Sequence, residues 1–228
     1  MYICEKFACF ALHIYTTVCT HRRIPNYKDS DCLRNNNTFC RFFDTNDKVF
    51  MTSTDKRDIR KSVRSEIAKL SAIEKEHLSA QIFSKIGLLE EVSQATTIAI
   101  FVSLQDEPQT AKFIEELSLH KRVVVPRIEG EEMNFYDISE GLSEGAFGIM
   151  EPVATTPIEP SEIDTMIVPG VAFTRDGKRL GRGKGFYDKY LSHKGFRAYT
   201  IGICYPCQLV GELPTEPHDK QLDLIVTI

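Results

Sequence analysis

From Asp55 onward the apolar positions of the chain follow two rhythms that alternate along its length. Between Asp55 and Leu70, the residues Ile59, Val63, Ile67 and Leu70 recur at spacings of three and four, which predicts an amphipathic helix, and Ser53, Thr54 and Asp55 can cap its start. Ser71-Ala72-Ile73-Glu74 then has the form of a reciprocal capping box, opening a second helix whose apolar stripe is Ile82, Phe83, Ile86 and Leu89 and whose end is weakened by Gly87. The rhythm changes next to a compact apolar run, Thr97 to Leu104, of buried-strand type. A helix over Pro108 to His120 and a strand over Arg122 to Pro126 follow. Met133 to Ile138 predicts one more strand, and Glu140 to Pro160, with its Gly and Pro residues, predicts a connection. Asp164 to Val168, Tyr199 to Ile203 and Leu222 to Thr227 supply the remaining strands. Alternation of this kind predicts an α/β domain of three layers, a mostly parallel central sheet flanked by helices. Ligands of such sheets bind outside the carboxyl ends of the strands, which directs attention to the turn after Leu104 and the loop after Val168.

Composition changes this picture mainly at the N-terminus. The first fifty residues hold five of the seven cysteines, with Asn and aromatics but no sustained period, so they are expected to be a poorly ordered extension without function. The catalytic domain is expected to span 51–228, with Met51 as the native start. Residues Phe7 to Cys19 have some character of a signal-peptide core, yet Glu5 precedes them, His13 interrupts them and no small-residue cleavage site follows. No apolar run approaches the roughly 18 residues that a membrane-spanning helix needs. The net charge of −4 argues against bulk nucleic-acid binding. A cytoplasmic monomer without a nucleic-acid or membrane partner is therefore expected. Cys204 and Cys207 have the spacing of a redox pair, but they follow a late apolar run, and neither a second such pair nor a histidine pair accompanies them.

Candidate chemistry concentrates in Arg179-Leu180-Gly181-Arg182-Gly183-Lys184-Gly185-Phe186-Tyr187-Asp188. Alternate glycines let backbone N–H groups approach an anion, the three cations neutralise it, and Asp188 stands where a magnesium ligand would be useful. The run lies after a strand and before the helix-like stretch Tyr187 to Leu191, a common setting for phosphate. It is not a Walker A loop, because Lys184 is followed by Gly185 and position 178 is Lys. Nor is it a dinucleotide fingerprint, because position 186 is Phe. A solvated glycine-rich turn is the bland alternative, which three cations and the trailing aromatic-aromatic-acid make hard to sustain.

Taken with Lys56-Arg57-Asp58-Ile59-Arg60, Ser103-Leu104-Gln105-Asp106-Glu107, Val168-Pro169-Gly170-Val171-Ala172-Phe173 and His218-Asp219, this block resembles the 5-formyltetrahydrofolate cyclo-ligase family over residues 51 to 228. The resemblance implies a magnesium- and ATP-dependent closure of 5-formyltetrahydrofolate to 5,10-methenyltetrahydrofolate, with ADP and phosphate released. By the same resemblance Lys56, Arg60, Arg179, Gly181, Arg182, Gly183, Lys184, Gly185, Phe186 and Tyr187 bind ATP, with Lys56, Arg182 and Lys184 as the catalytic cations. Val102 and Glu107 map to the folate side together with Arg182, Gly183, Lys184, Gly185 and Phe186, while Asp188 and Asp219 map to magnesium. Helix geometry adds that Lys56 and Arg60 lie at the edge of the apolar stripe, from which a cation can reach a cleft or snorkel to water.

Departures from the family pattern are Phe186, where Tyr is frequent, and Thr174, where Asp is frequent. Arg127 is open between a ligand contact and a surface ion pair. Two other functions make different demands. A sugar-phosphate enzyme would use the loop without ATP turnover, and an RNA-binding module would stack bases on Phe186 and Tyr187 with steep salt dependence.

Overall fold

The computed structural model describes residues 55–145 and 150–228; the proposed extension 1–50 lies outside them. The first helix, α1 (Lys56–Lys69), is capped by Asp55, whose carboxylate accepts from the Arg57 amide at 2.7 Å. Its buried residues are Ile59, Val63 and Ile67, three of the four of the predicted stripe, each stabilising the packing by about 1.5–3 kcal/mol on area grounds; the fourth, Leu70, is the C-cap and only partly buried. The capping box at Ser71 is formed in both directions: the Glu74 amide donates to Ser71 Oγ at 3.2 Å, and the Ser71 amide donates to Glu74 Oε2 at 2.8 Å. It starts α2 (Ala72–Gly87), which ends on the predicted weak residue. The short helix α3 (Glu90–Ser93) follows.

The central sheet contains β1 (Thr97–Ile100), β2 (Arg122–Glu129), β3 (Glu132–Asp137), β6 (Thr165–Val168), β9 (Tyr199–Ile203) and β10 (Leu224–Val226), in the spatial order β10-β9-β6-β1-β2-β3. Five strands run parallel, and β3 joins the edge antiparallel to β2. The chain thus moves outward from β1 through β2 and β3, then returns to build β6, β9 and β10 on the other side. The direction of growth reverses between β1 and β6, the place where sheets of this kind commonly bind ligands, since neighbouring loops leave there in opposite senses.

Side chains on successive strand positions enter different cores. Ile98, Ile100, Val123, Val125, Ile167, Ile201 and Ile203 pack with α1, α2 and α4 (Ala111–Ser118) on one face. Ala99, Val124, Met166, Val168 and Phe135 pack on the other, against α5 (Phe186–Leu191). Burial on both faces explains why β1 and β6 read as unbroken apolar runs. The predicted α/β architecture of three layers is therefore present. Among the described residues no helix is long and apolar enough to cross a membrane.

Three differences from the sequence expectation have physical causes. The strand expected over Thr97–Leu104 stops at Ile100, because its ladder partners end with Ala99 opposite Val124 and Ile100 opposite Ile167; the rest forms a turn closed by the Glu107 amide on the Leu104 carbonyl. The connection 140–160 includes a small antiparallel pair, β4 (Leu142–Glu144) with β5 (Met150–Pro152). A hairpin, β7 (Ala172–Phe173) with β8 (Arg179–Leu180), separates β6 from the glycine loop, and its strands are too short to show a period.

Thr174 sits in the turn of that hairpin, where it is buried and its Oγ1 accepts the Lys178 amide at 3.1 Å. An Asp carboxylate can make the same local bond, so the departure at this position concerns the hairpin. Thr174→Val is expected to lower stability by about 1–2 kcal/mol by orphaning that amide. Thr174→Ser, which keeps the hydroxyl, is expected to stay closer to the parent, the comparison being made by thermal unfolding.

Candidate functional site

Four segments distant in sequence meet beside the carboxyl ends of β1 and β6. The start of α1 provides Lys56 and Arg60, which are one helical turn apart and therefore share a side. Arg60 Nε donates to the Gly181 carbonyl at 2.8 Å, and its guanidinium carbon lies 3.6 Å from where a Cβ on Gly183 would stand. The Gly183 backbone, at φ 101°, thus takes a conformation suited to glycine while Arg60 stays close beneath the loop. Gly185, at φ 72°, caps α5 in the left-handed region, and a Cβ there would meet no atom within 4 Å. One side of the loop is consequently open to a ligand.

Lys56 leans the other way, toward the segment 216–220. Its Nζ lies 2.8 Å from Asp219 Oδ2 and 2.9 Å from Glu216 Oε1. Burial works to raise the Asp219 pKa, but hydrogen bonds from Lys56 and the Glu216 amide, with the charges of Lys56 and His218, outweigh it and hold the carboxyl below its ordinary value. Asp188 is nearby, since its Oδ1 accepts the Lys220 amide at 3.3 Å.

The turn after β1 supplies the counterpart. Glu107 is 5% exposed; its Oε2 accepts the Leu104 amide at 2.9 Å, and its carbonyl accepts the Tyr205 hydroxyl at 2.9 Å. Its Oε1 accepts from both Nε and Nη2 of Arg182, at 3.0 and 2.8 Å. A buried carboxylate requires such pairing, because desolvation without a partner costs several kcal/mol. Arg182 also bonds Asp106 through Nη2, and Asp106 lies 3.9 Å from Arg64 Nε.

Arg179 is a strut under the loop. It is buried, donating through Nη2 to Asp188 Oδ1 at 2.9 Å and through Nη1 to the Pro169 carbonyl at 3.3 Å, with its guanidinium 5.5 Å from the centre of the Tyr187 ring. Two sealed polar atoms here, Arg179 Nε and the Tyr187 hydroxyl, have no hydrogen-bond partner among the described residues. Burial pushes the Tyr187 phenol well above its ordinary range, so it remains a neutral donor. Lys184 is exposed and makes no hydrogen bond or ion pair with the described residues, which leaves its ammonium available to an incoming anion.

The structure therefore brings together Lys56 with Asp219, Arg60 with Gly181 and Gly183, Arg182 with Glu107, and Arg179 with Asp188. Phe186 is half-buried against the core beneath α5, and Val102 is half-buried against the opposite core, near the start of the turn. Asp106 and Glu216 were not singled out from the sequence; the one signal was an acid next to Glu107 and another three residues before Asp219. Arg127 lies in an internal tie, donating to the Pro152 and Ala154 carbonyls, pairing with Glu129 and stacking 3.9 Å over Tyr136. Cys204 and Cys207 are both free thiols: Cys204 is buried in one core, its thiol pushed up to about 12 by burial, while Cys207 packs against the other.

Chemically, the site is a cluster of cations of which Lys56 and Arg182 are neutralised by acids of other segments, while Arg60 bonds a backbone carbonyl and Lys184 is unpaired among the described residues. A ligand with several anionic oxygens can exchange with those acids. The two carboxylates that the sequence resemblance assigns to magnesium, Asp188 and Asp219, are linked through the Lys220 amide on Asp188 and are paired with Arg179 and Lys56, and no group of three or more His, Cys, Asp or Glu suited to a metal occurs among the described residues. Such a donor set suits a cation that arrives with most of its ligands as water and phosphate, as magnesium does.

Residues 52–228 match the model of the 5-formyltetrahydrofolate cyclo-ligase family. A 5-formyltetrahydrofolate cyclo-ligase of Mycoplasma pneumoniae is 34% identical over 176 residues, covering 75% of this chain and 98% of that one. The mouse protein of the same name is 27% identical over 188 residues, covering 75% and 92%. The solution structure of 5,10-methenyltetrahydrofolate synthetase from Aquifex aeolicus superposes with a TM-score of 0.69 at 34% identity, covering 75% of this chain and 89% of that one.

Because the folded-state pKa of Asp219 is depressed, its pairing stabilises the fold above the ordinary carboxylate value near 4, and that contribution fades as pH falls through the lower folded value. Urea midpoints at pH 7 and pH 3 should show a smaller acid loss for Asp219→Asn than for the parent.

Proposed function

The chain belongs to the 5-formyltetrahydrofolate cyclo-ligase family, and we propose that it closes the ring by transferring the γ-phosphoryl group of ATP to the formyl oxygen of 5-formyltetrahydrofolate. The observation that carries this reading is the contact of Arg182 on the glycine loop with Glu107 after β1, at 2.8 Å. The phosphate-side cation and the folate-side acid are immediate neighbours, as transfer between two bound substrates demands.

A formyl oxygen is a poor leaving group. Attack of that oxygen on the γ-phosphorus, with rupture of the bond to the bridging oxygen, releases ADP and leaves a phosphorylated, imidate-like formyl group. N10 then bonds to the formyl carbon, the C–O bond breaks with phosphate departing, and the N10 proton is lost, giving the methenyl bridge with its delocalised positive charge. Phosphoryl transfer needs alignment and charge neutralisation more than covalent help from the protein.

Lys56, Arg182 and Lys184 supply the neutralising charge, the amides of residues 181–187 cradle the phosphates, and Arg60 keeps that loop against α1. Arg179 holds Asp188 and the base of the loop. On the folate side Glu107 accepts from pterin N–H groups, Val102 offers an apolar surface, and Phe186 retains a ring face without a hydroxyl. Asp188 and Asp219 would hold magnesium, whose chemistry is to offset phosphate charge.

The test is formation of the methenyl product followed by absorbance, with ATP and magnesium supplied or withheld. Product is expected only when both are present; product without ATP would overturn phosphoryl transfer. Asp188→Ala is expected to abolish magnesium-dependent turnover in a folded protein, and full activity would remove it from the site. A chain beginning at Met51 is expected to retain activity, with its loss overturning the view of residues 1–50 as dispensable.

A further inference from the structure

Asp106 has no part in the chemistry derived above, yet it is built into the site. It bonds Arg182 Nη2, lies 3.9 Å from Arg64 Nε, and is only 31% exposed. Burial works to raise its pKa, but the bond and charge of Arg182, with Arg64, outweigh this and keep the carboxyl charged at neutral pH. Glu107 already satisfies two donors of Arg182, through Nε and Nη2. Asp106 is therefore not needed to anchor the guanidinium. What it adds is a second negative charge on the more open side of a cation that is meant for phosphate.

We propose that Asp106 is a positioning residue that acts as a stand-in anion, holding Arg182 until a phosphate of ATP takes its place. The inference rests on the assignment of Arg182 to phosphate. Guanidinium groups form a planar fork of donors, so a phosphate oxygen and a carboxylate oxygen compete for the same Nη2 site. Arg64 is the partner to which the displaced carboxylate turns, since it already faces Asp106 across the crevice at near ion-pair distance. In the ATP-free enzyme the same contact discourages inorganic phosphate and ADP from settling on Arg182, because either must first displace Asp106. Asp106 thus lowers the affinity of every phosphate ligand that has to reach Arg182. Only a ligand that also engages Lys56, Arg60 and Lys184 compensates for the exchange.

The consequence opposes what a merely structural acid would give. With the full-length enzyme, Asp106→Asn should lower the KM for ATP about fivefold, the size expected for release from a partly exposed ion pair. It should also tighten inhibition by ADP and by inorganic phosphate, and Asp106→Glu should return all three constants toward the parent. A double-mutant cycle with Arg182→Gln isolates the coupling, since the effect of Asp106→Asn on ATP should vanish when the guanidinium is absent. An unchanged or raised KM for ATP in Asp106→Asn, alongside a raised KM in Arg182→Gln, would overturn the stand-in role alone. An unchanged KM for ATP in Arg182→Gln would overturn the phosphate assignment of Arg182 and the inference with it.

Discussion

A carboxylate as enclosed as Glu107 has to be answered by positive charge, and the way it is answered organises the whole crevice. Leu104 supplies an amide from the same turn, Tyr205 ties down the carbonyl, and Arg182 reaches across from the glycine loop. These contacts bring the loop to the end of β1, and the Arg60 bond to Gly181 joins the same loop to α1. The glycine loop and the turn after β1 are therefore one electrostatic unit. Moving either one disturbs the neutralisation of the other.

The sheet makes this arrangement possible by reversing its direction of growth between β1 and β6. The loops leaving those strands diverge, and the polar groups at their ends lie outside both hydrophobic cores. Strict alternation of side chains between the two cores holds the strands in register, and a slip by one residue would exchange Ala99 for its isoleucine neighbours across the sheet. Tyr190 packs its ring 4.8 Å from Phe135, so the antiparallel edge strand steadies the helix that follows the glycine loop. Architecture and chemistry meet at Arg179, buried beneath the loop yet paired with Asp188.

Much of this was legible in the sequence where the governing physics is local. The stripe of Ile59, Val63 and Ile67, the capping box at Ser71, and the placement of glycines just before a helix all depend on neighbours within a few positions. The family resemblance correctly indicated the fold and the ligase class. Counterions were harder to read. Glu216 and Asp106 gain their importance only from Lys56 and Arg182, which reach them from remote parts of the chain, and an isolated surface acid gives no sign of that. The β7–β8 hairpin escaped notice because two residues per strand establish no period. Thr174 drew attention as a departure near the site, whereas its bond to the Lys178 amide makes it a turn residue.

The pairing of Lys56 with Asp219 spans 163 positions of sequence. On a ribosome that span becomes an interval of time. Lys56 emerges early and remains without its acid while the strands of the sheet are still being made. At the elongation rates of roughly 5–20 residues per second typical of cells, the delay is on the order of ten to thirty seconds. A nascent chain that has not yet released Asp219 lacks one wall of the site, so the pairing of Lys56 is completed only after the segments between the two residues have been made.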